Sequence, residues 1–408
     1  MRLVLFTGKG GVGKTTAAAA TGALLAARGR KALVVSTDPA HSLADALGEP
    51  LGPTPTEVGS GLAGMQVDAQ RRFEAGWGGV RDWLGGLLQG AGLDAVTAGE
   101  LPVPPGAADV CALLEVRDQL AAGPWDAVLV DCAPTAETLR LLALPEALAG
   151  YLERVWPAHR RMLRSLGPAL GRLGGLAGEA ALPPAPALAA LDRLQVDLTD
   201  VRALLTAPGR ASVRLVLTPE AVVVAEARRT LTALALHGYA VDSVLANRVF
   251  PAEADGSPWG AAWRAAQGAA LAGLVESVPG LPVRTATYRM VEPVGVPALR
   301  AVGEELYGAD DPLAPAPAAA APAVSRDGDD YVLRVPLPFV RRSDVQLLRA
   351  GDELVLTVGG QRRRLALPSV LRRCVAVGAA AGDGAVRVRF RPDPELWPRA
   401  LAVPGRAP

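Results

Sequence analysis

The segment FTGKGGVGKTT at residues 6–16 combines small residues and two amines in a spacing suited to binding phosphate groups. Residues 8–15 match the pattern G-x-x-x-x-G-K-[ST], with an apolar run before them and an Ala-rich stretch after them. Glycines let successive backbone N–H groups converge on phosphate oxygens beside the N-terminus of the next helix. The residues predicted to bind a nucleotide here are Gly8, Lys9, Gly10, Gly11, Val12, Gly13, Lys14, Thr15 and Thr16.

Lys9 and Lys14 are two of the three lysines in a chain that has 39 arginines. An ammonium is a compact point charge that enters a crowded phosphate pocket, whereas a guanidinium is a planar fork. We expect Lys14 to contact the β- and γ-phosphates and Thr15 to ligate Mg²⁺. Lys9 has two interpretations, which are a solvated charge near the ligand and a charge that reaches the nucleotide of a second subunit.

Two carboxylates follow apolar runs that are typical of buried strands. Asp38 comes just after ALVVS, and Asp131 ends AVLVD. Ligands of open α/β sheets bind at the carboxyl ends of the strands, so both side chains are expected near the phosphates. We predict that Asp38 orients or deprotonates the attacking water, with a turn or capping role as the alternative. We predict that Asp131 holds Mg²⁺, directly or through water.

Short apolar runs alternate with Ala- and Leu-rich helical stretches over residues 1–308, which predicts an α/β domain with a mostly parallel sheet. Two stretches, at about residues 73–109 and 151–210, are predicted to form a helical insertion at the edge of the sheet. The clearest predicted strands are Leu3–Phe6, Ala32–Ser36, Ala127–Asp131, Val213–Leu217 and Val244–Asn247.

Residues 309–326 are rich in Ala and Pro and lack aromatic side chains, so they are predicted to form a semi-extended linker. Period-two alternation between Gly, Asp and Pro turns follows over residues 327–399. This pattern predicts a small antiparallel β-sandwich with one or two turns of helix.

The formal net charge is +1, which gives no general attraction to nucleic acid. Apolar stretches are interrupted well before the ~20 residues that span a bilayer, and the N-terminus leaves no room for a signal peptide. We therefore expect a cytoplasmic protein. The cysteines at positions 111, 132 and 374 lie far apart, which argues against a disulfide framework or a zinc knuckle.

Residues 1–308 resemble the ArsA and tail-anchored-protein-targeting ATPases, which are deviant Walker A members of the P-loop NTPase class. The resemblance rests on the segments KGGVGKTT, STDPAHSLADAL, DCAPTAETLRLLALPE, RLVLTPEAVVVAEARRTLTALALHGYAVDSVLANRVFP and ALRAVGEELYG. The residues after the linker resemble the α-crystallin domain of small heat-shock proteins, in YVLRVPLP, DELVLTVGG and RRRLALP.

This resemblance implies an ATP- and Mg²⁺-dependent homodimer that opens and closes around a partner, either a protein client or a membrane protein. It implies that Lys9 acts in trans on the nucleotide of the facing subunit, that Asp38 activates water, and that Asn247 contacts the adenine. The C-x-x-C that clasps zinc in eukaryotic targeting dimers is missing, so no zinc clasp is expected.

Three function hypotheses follow from the sequence. The first is an ATPase whose dimer changes conformation on a bound protein client. The second is an ATPase that drives a pump for a metalloid or another anion, although the three cysteines do not lie at the positions of a metalloid-binding triad. The third is a nucleotide-switched binding scaffold with little turnover.

Overall fold

A computed structural model of the chain describes most of the residues in two compact units. Unit 1 comprises Met1–Pro219 and Asp242–Ala316, and unit 2 comprises Glu220–Val241 and Pro317–Pro408. Residues 73–106 and 151–184 of the predicted helical insertion lie outside the described residues. The described residues are 1–38, 42–68, 71–72, 107–135, 138–139, 142, 185–315 and 319–397.

Eight strands of unit 1 form one sheet in the order β3-β4-β2-β5-β1-β6-β7-β8. The pairs from β4 through to β6 and the β7–β8 pair are parallel, whereas β3 is antiparallel to β4. The predicted α/β fold with a mostly parallel sheet is therefore confirmed. The strands are β1 Arg2–Thr7, β2 Ala32–Ser36, β3 Thr56–Gly59, β4 Leu62–Gln66, β5 Ala127–Asp131, β6 Ala211–Leu217, β7 Val241–Val249 and β8 Val283–Thr287.

Helices follow most of these strands. The helices are α1 Lys14–Ala27, α2 Ser42–Leu47, α3 Ala107–Ala122, α4 Ala185–Leu205, α5 Ala221–His237, α6 Pro258–Ser277 and α7 Val296–Tyr307. The Ala-rich α1 is buried over most of its length, as expected for a helix that is apolar on several faces. A Cβ at Gly303 of α7 would lie 2.5 Å from the carbonyl oxygen of Ala20, so glycine permits α7 to pack closely on α1. This packing fixes the helix that begins directly after the glycine loop at residues 8–13.

A buried ion pair holds the start of the predicted linker against unit 1. Arg214 donates from Nε to Asp242 Oδ1 at 3.0 Å and from Nη2 to Asp242 Oδ2 at 2.8 Å. Burial alone would raise the pKa of Asp242, but the charge and hydrogen bonds of Arg214 lower it below its usual value. Arg214 also donates to the carbonyl of Pro312 at 3.0 Å, and Arg2 donates to the carbonyl of Ala314 at 3.1 Å. The linker predicted at 309–326 therefore begins with residues bound to unit 1.

Unit 2 contains two antiparallel sheets with the strand orders β14-β15-β10-β9 and β11-β12-β13. A single helical turn, α8 at Ser369–Arg372, precedes β14. The predicted C-terminal all-β region is confirmed, although β9 includes residues that were predicted to belong to the linker. The strands are β9 Ala323–Asp327, β10 Asp330–Pro336, β11 Val345–Ala350, β12 Glu353–Val358, β13 Gln361–Ala366, β14 Cys374–Gly382 and β15 Ala385–Pro392.

Helix α5 belongs to unit 2, although the sequence analysis assigned it to the domain at residues 1–308. Leu236 is fully buried in the hydrophobic core that the sandwich strands form. Thr232 Oγ1 donates to the carbonyl of Pro338 at 2.6 Å, and Arg363 donates to the carbonyl of Leu236. The hydrophobic pattern of a helix shows that one face is buried but does not show which neighbour covers it, which explains the different assignment.

Candidate nucleotide site

The sheet order brings three predicted site segments to the same edge. Strand β5 lies between β1 and β2, and Asp131 at its end is the register partner of both Phe6 and Ser36. The loop after β1 therefore starts beside Asp131, and Asp38 follows Ser36 by two residues. This edge is formed by the carboxyl ends of parallel strands, where ligands of α/β sheets bind.

Glycine is required by close contacts at two positions of the loop between β1 and α1. A Cβ at Gly8 would lie 2.0 Å from the carbonyl oxygen of Val216, at the end of β6. Gly13 has a φ of 92°, and a Cβ there would lie 2.2 Å from Asn247 Nδ2. The loop therefore lies so close to β6 and β7 that only glycine fits at positions 8 and 13.

The middle of the loop is open, as a phosphate-binding loop requires. No atom of the described residues lies within 4 Å of the Cβ positions that would be built at Gly10 and Gly11, and both residues are exposed together with Lys9. Lys14 is buried at the first position of α1, and its Nζ donates to the carbonyl of Lys9 at 3.3 Å. The N-terminus of α1 has no side-chain cap, so its positive dipole end faces the loop.

Asp131 is fully buried and has one oxygen without a partner. Its Oδ2 accepts hydrogen bonds from Thr15 Oγ1 at 2.8 Å and from Ser36 Oγ at 3.4 Å. Its Oδ1 has no hydrogen-bond partner among the described residues. Burial raises the pKa of Asp131 to about 6. The negative charge of Asp38 also raises this pKa, whereas the hydrogen bonds from Thr15 and Ser36 and the positive charge of Lys14 lower it. A cation bound here would favour the carboxylate form.

Asp38 is half-buried, and its backbone is held on both sides. Its N–H donates to Ser36 Oγ at 3.3 Å, and its carbonyl accepts from Gln66 Nε2 at 2.7 Å. Across the loop, the N–H of Thr135 donates to the carbonyl of Gly8 at 3.1 Å. These bonds connect the segments after β2 and β5 to the strands and to the phosphate loop.

Asn247 lies at the other side of the loop. Its Nδ2 donates to the carbonyl of Val12 at 3.0 Å, and its Oδ1 accepts from the N–H of Arg248. The side chain therefore holds the loop backbone, while the adenine contact predicted for it stays a prediction.

Comparison with known proteins identifies the family. The sequence profile of the anion-transporting ATPases, ArsA, matches residues 1–308. The chain belongs to the ArsA ATPase family. A second profile, of the HSP20-like domain found in ArsA, matches residues 328–390 of this ArsA-family chain. Both parts of the resemblance stated from the sequence are confirmed.

Two relatives of this ArsA-family chain match it over almost its whole length, and a third matches a shorter part. A Chlorobaculum tepidum protein that carries the provisional name arsenical pump-driving ATPase is 34% identical over 390 residues, covering 96% of this chain and 95% of its own. The Mycobacterium tuberculosis protein Rv2184c is 36% identical over 424 residues, covering 97% of each chain. An Entamoeba dispar protein named ATPase ASNA1 homolog is 30% identical over 263 residues, covering 62% of this chain and 77% of its own.

The residues around Asp131 fit the Mg²⁺ that an ArsA-family ATPase implies. Mg²⁺ prefers oxygen ligands, and Thr15 Oγ1 and the unpartnered Asp131 Oδ1 belong to side chains that already contact each other. Ser42 Oγ lies 3.0 Å from Thr15 Oγ1 and adds a further hydroxyl. Because Thr15 donates its single proton to Asp131, Ser42 is the donor in that pair.

Sequence reasoning missed two polar side chains of this site, those of Ser36 and Gln66, and the backbone carbonyl of Val216. Ser36 and Gln66 each end an apolar strand, which is the signal that identified Asp131. Val216 contributes backbone alone, so no side-chain pattern indicates it. Ser42 is the first residue of α2, and its hydroxyl also forms a hydrogen bond with Thr15.

Proposed function

We propose that this chain hydrolyses ATP in a nucleotide-dependent homodimer whose opening and closing act on a bound protein client. The observation that carries the proposal is the group formed by Lys14, Asp131 and Asp38 at one sheet edge, around an open glycine loop. Asp131 Oδ1 is buried and has no hydrogen-bond partner in the described part of the chain, which supports a cation at this group.

Each residue then has a role in phosphoryl transfer to water. Loop N–H groups and Lys14 hold the β- and γ-phosphates, while Thr15 and Asp131 hold Mg²⁺, which stabilises the negative charge on the phosphate oxygens when bound. The oxygen of a water molecule attacks the γ-phosphorus, and the bond to the β–γ bridging oxygen breaks. Asp38 accepts the proton of that water, so the products are ADP and inorganic phosphate.

Release of inorganic phosphate from Mg-ATP by the purified full chain tests this proposal. We expect turnover by the wild type and loss of both ATP binding and turnover in Lys14→Ala, because the buried ammonium is the charge that faces the phosphates. Phosphate release and binding of a fluorescent ATP analogue are the two measurements. Binding without any phosphate release by the wild type would contradict the ATPase proposal and support the nucleotide-switched scaffold.

Lys9→Ala is expected to preserve ATP binding but to lower turnover and ATP-dependent dimerisation. Lys9 is exposed on the loop, and no hydrogen bond from its ammonium is found in the described part of the chain, so its charge can reach a facing subunit. Sedimentation with and without ATP, together with phosphate release, measures both effects.

The control for this prediction is Lys31→Ala, which removes an exposed lysine at the opposite end of β2. We expect wild-type behaviour from it. Full turnover of Lys9→Ala as a monomer would show that Lys9 has no role in trans.

Strand β14 of unit 2 supports an extended protein segment as the client. It lies at the edge of its sheet, its residues from Val375 to Ala380 are exposed, and it carries no charged side chain. Edge strands are usually protected by charges, and unprotected ones pair with extended peptides. The match to the HSP20-like domain is consistent with this interpretation.

A pump-driving ATPase is the second candidate, and the name of the Chlorobaculum tepidum relative favours it. Cys111, Cys132 and Cys374 are all buried, and Cys374 belongs to unit 2 while the others belong to unit 1. Among the described residues, no group of three or more His, Cys, Asp or Glu side chains is placed to hold a metal ion. Faster phosphate release in the presence of arsenite or antimonite would favour the pump over the client hypothesis.

The described residues contain no helix long and apolar enough to cross a membrane.

A further inference from the structure

Gln66 ends β4 and has an unusual buried amide. The residue is only 6% exposed, and its side-chain Nε2 donates a hydrogen bond to the backbone carbonyl of Asp38 at 2.7 Å. Its Oε1 is buried and has no hydrogen-bond partner among the described residues. Gln66 is the register partner of Ser36, which places it at the same sheet edge as Asp131.

A buried amide oxygen without a partner is costly. Leaving such an acceptor unsatisfied costs about 1–3 kcal/mol, and an apolar residue of similar length would avoid that cost. Two other buried oxygens at the ends of neighbouring strands share this condition, Thr7 Oγ1 of β1 and Asp131 Oδ1 of β5. All three lie where the carboxyl ends of the strands face the proposed ligand.

We propose that Gln66 is a positioning residue for ATP hydrolysis. Its N–H holds the backbone of Asp38, and its Oε1 accepts a hydrogen bond from a water molecule beside the Asp38 carboxylate. The amide thus ties the proton acceptor and a site water to the rigid end of β4. This inference rests on the proposed function, because it needs Asp38 to act on water.

An amide suits this position better than an acid. A carboxylate at position 66 has no N–H to donate to the Asp38 carbonyl, and it would add negative charge near Asp38 and Asp131. Hydrophobic residues would fill the space but would offer neither the donor nor the acceptor. The two functions of the amide are therefore lost together in an apolar variant.

Gln66→Leu is expected to lower kcat roughly 10- to 100-fold with the KM for ATP unchanged. The physical reason is that misplacing a catalytic group by about 1 Å lowers the rate by up to about 100-fold. Gln66→Met, which is longer and adapts to the space, serves as a second variant where leucine disturbs folding. Steady-state phosphate release measures kcat and KM, and circular dichroism checks the fold. The control is Gln346→Leu, the same chemical change at an exposed position of β11.

A double-mutant comparison separates positioning from stability. In an Asp38→Asn background, Gln66→Leu is expected to cause little further loss, because both substitutions act on the same step. An equal kcat for wild type and both Gln66 variants would overturn the inference, and so would fully additive losses in the double variant. Absence of turnover in the wild type would instead overturn the proposed function.

Discussion

Asp38→Asn should lower phosphate release by about a hundredfold or more while ATP binding is retained. The carboxamide has the same shape as the carboxylate but cannot accept the proton of the attacking water. The backbone of Asp38 is held by Ser36 and Gln66, and both of these hydrogen bonds are kept in the Asn variant because they use backbone atoms of residue 38. Single-turnover phosphate release after saturation with Mg-ATP isolates the chemical step from nucleotide exchange.

Asp45→Asn is the matched control for this prediction. Asp45 is an exposed carboxylate in the first turn of α2, outside the group of residues around Asp131. We expect its rate to equal that of the wild type. An unchanged rate in Asp38→Asn would remove this residue from the mechanism and indicate that the proton leaves by another route, such as transfer to a phosphate oxygen.

The glycine loop between β1 and α1 could be predicted because the features that form it are local. An apolar strand, glycines and the start of a helix occur within residues 2–27, so sequence order is nearly spatial order. Asp131 and Asp38 could be predicted by one further step, since the ends of parallel strands meet at one edge of the sheet. The five clearest predicted strands all lie within observed strands.

The contributions of Gln66 and Ser36 to the site could not be predicted from the sequence pattern. Their contribution depends on β4 lying next to β2 and on β2 lying next to β5, and the chain pattern does not state that order. A polar residue at the end of an apolar strand is a signal, but it selects candidates without showing which strands are neighbours. The sheet order is what places Gln66 beside Asp38.

The structures of residues 309–314 and of β14 were hard to predict from the sequence for a different reason. Residues 309–314 look unstructured by composition, yet they are held by Arg2, Arg28 and Arg214, which lie far away in the sequence. Strand β14 is rich in Ala and Gly, which have weak strand preference, and it forms because β15 pairs with it. In both cases distant contacts determine the structure of a locally uninformative segment.

Leu236→Ala is expected to destabilise unit 2 by on the order of 2–5 kcal/mol, because it removes a fully buried side chain and leaves a cavity. Leu236 lies in α5, but it packs in a core that includes Leu333, Leu356 and Phe390 of the sandwich strands. Alanine is a strong helix former, so the substitution acts on packing and not on the helix itself. Amide hydrogen exchange of the full chain, resolved on β10, β12 and β13, measures the loss.

Val222→Ala is the matched control, since Val222 is 68% exposed on the same helix. The two variants remove similar apolar groups from one element, and they differ in whether the sandwich covers the side chain. If exchange in the sandwich strands accelerates in Leu236→Ala alone, the core of the HSP20-like unit depends on a helix that follows β6. Unchanged exchange would instead show that residues 319–397 are stable without this contact.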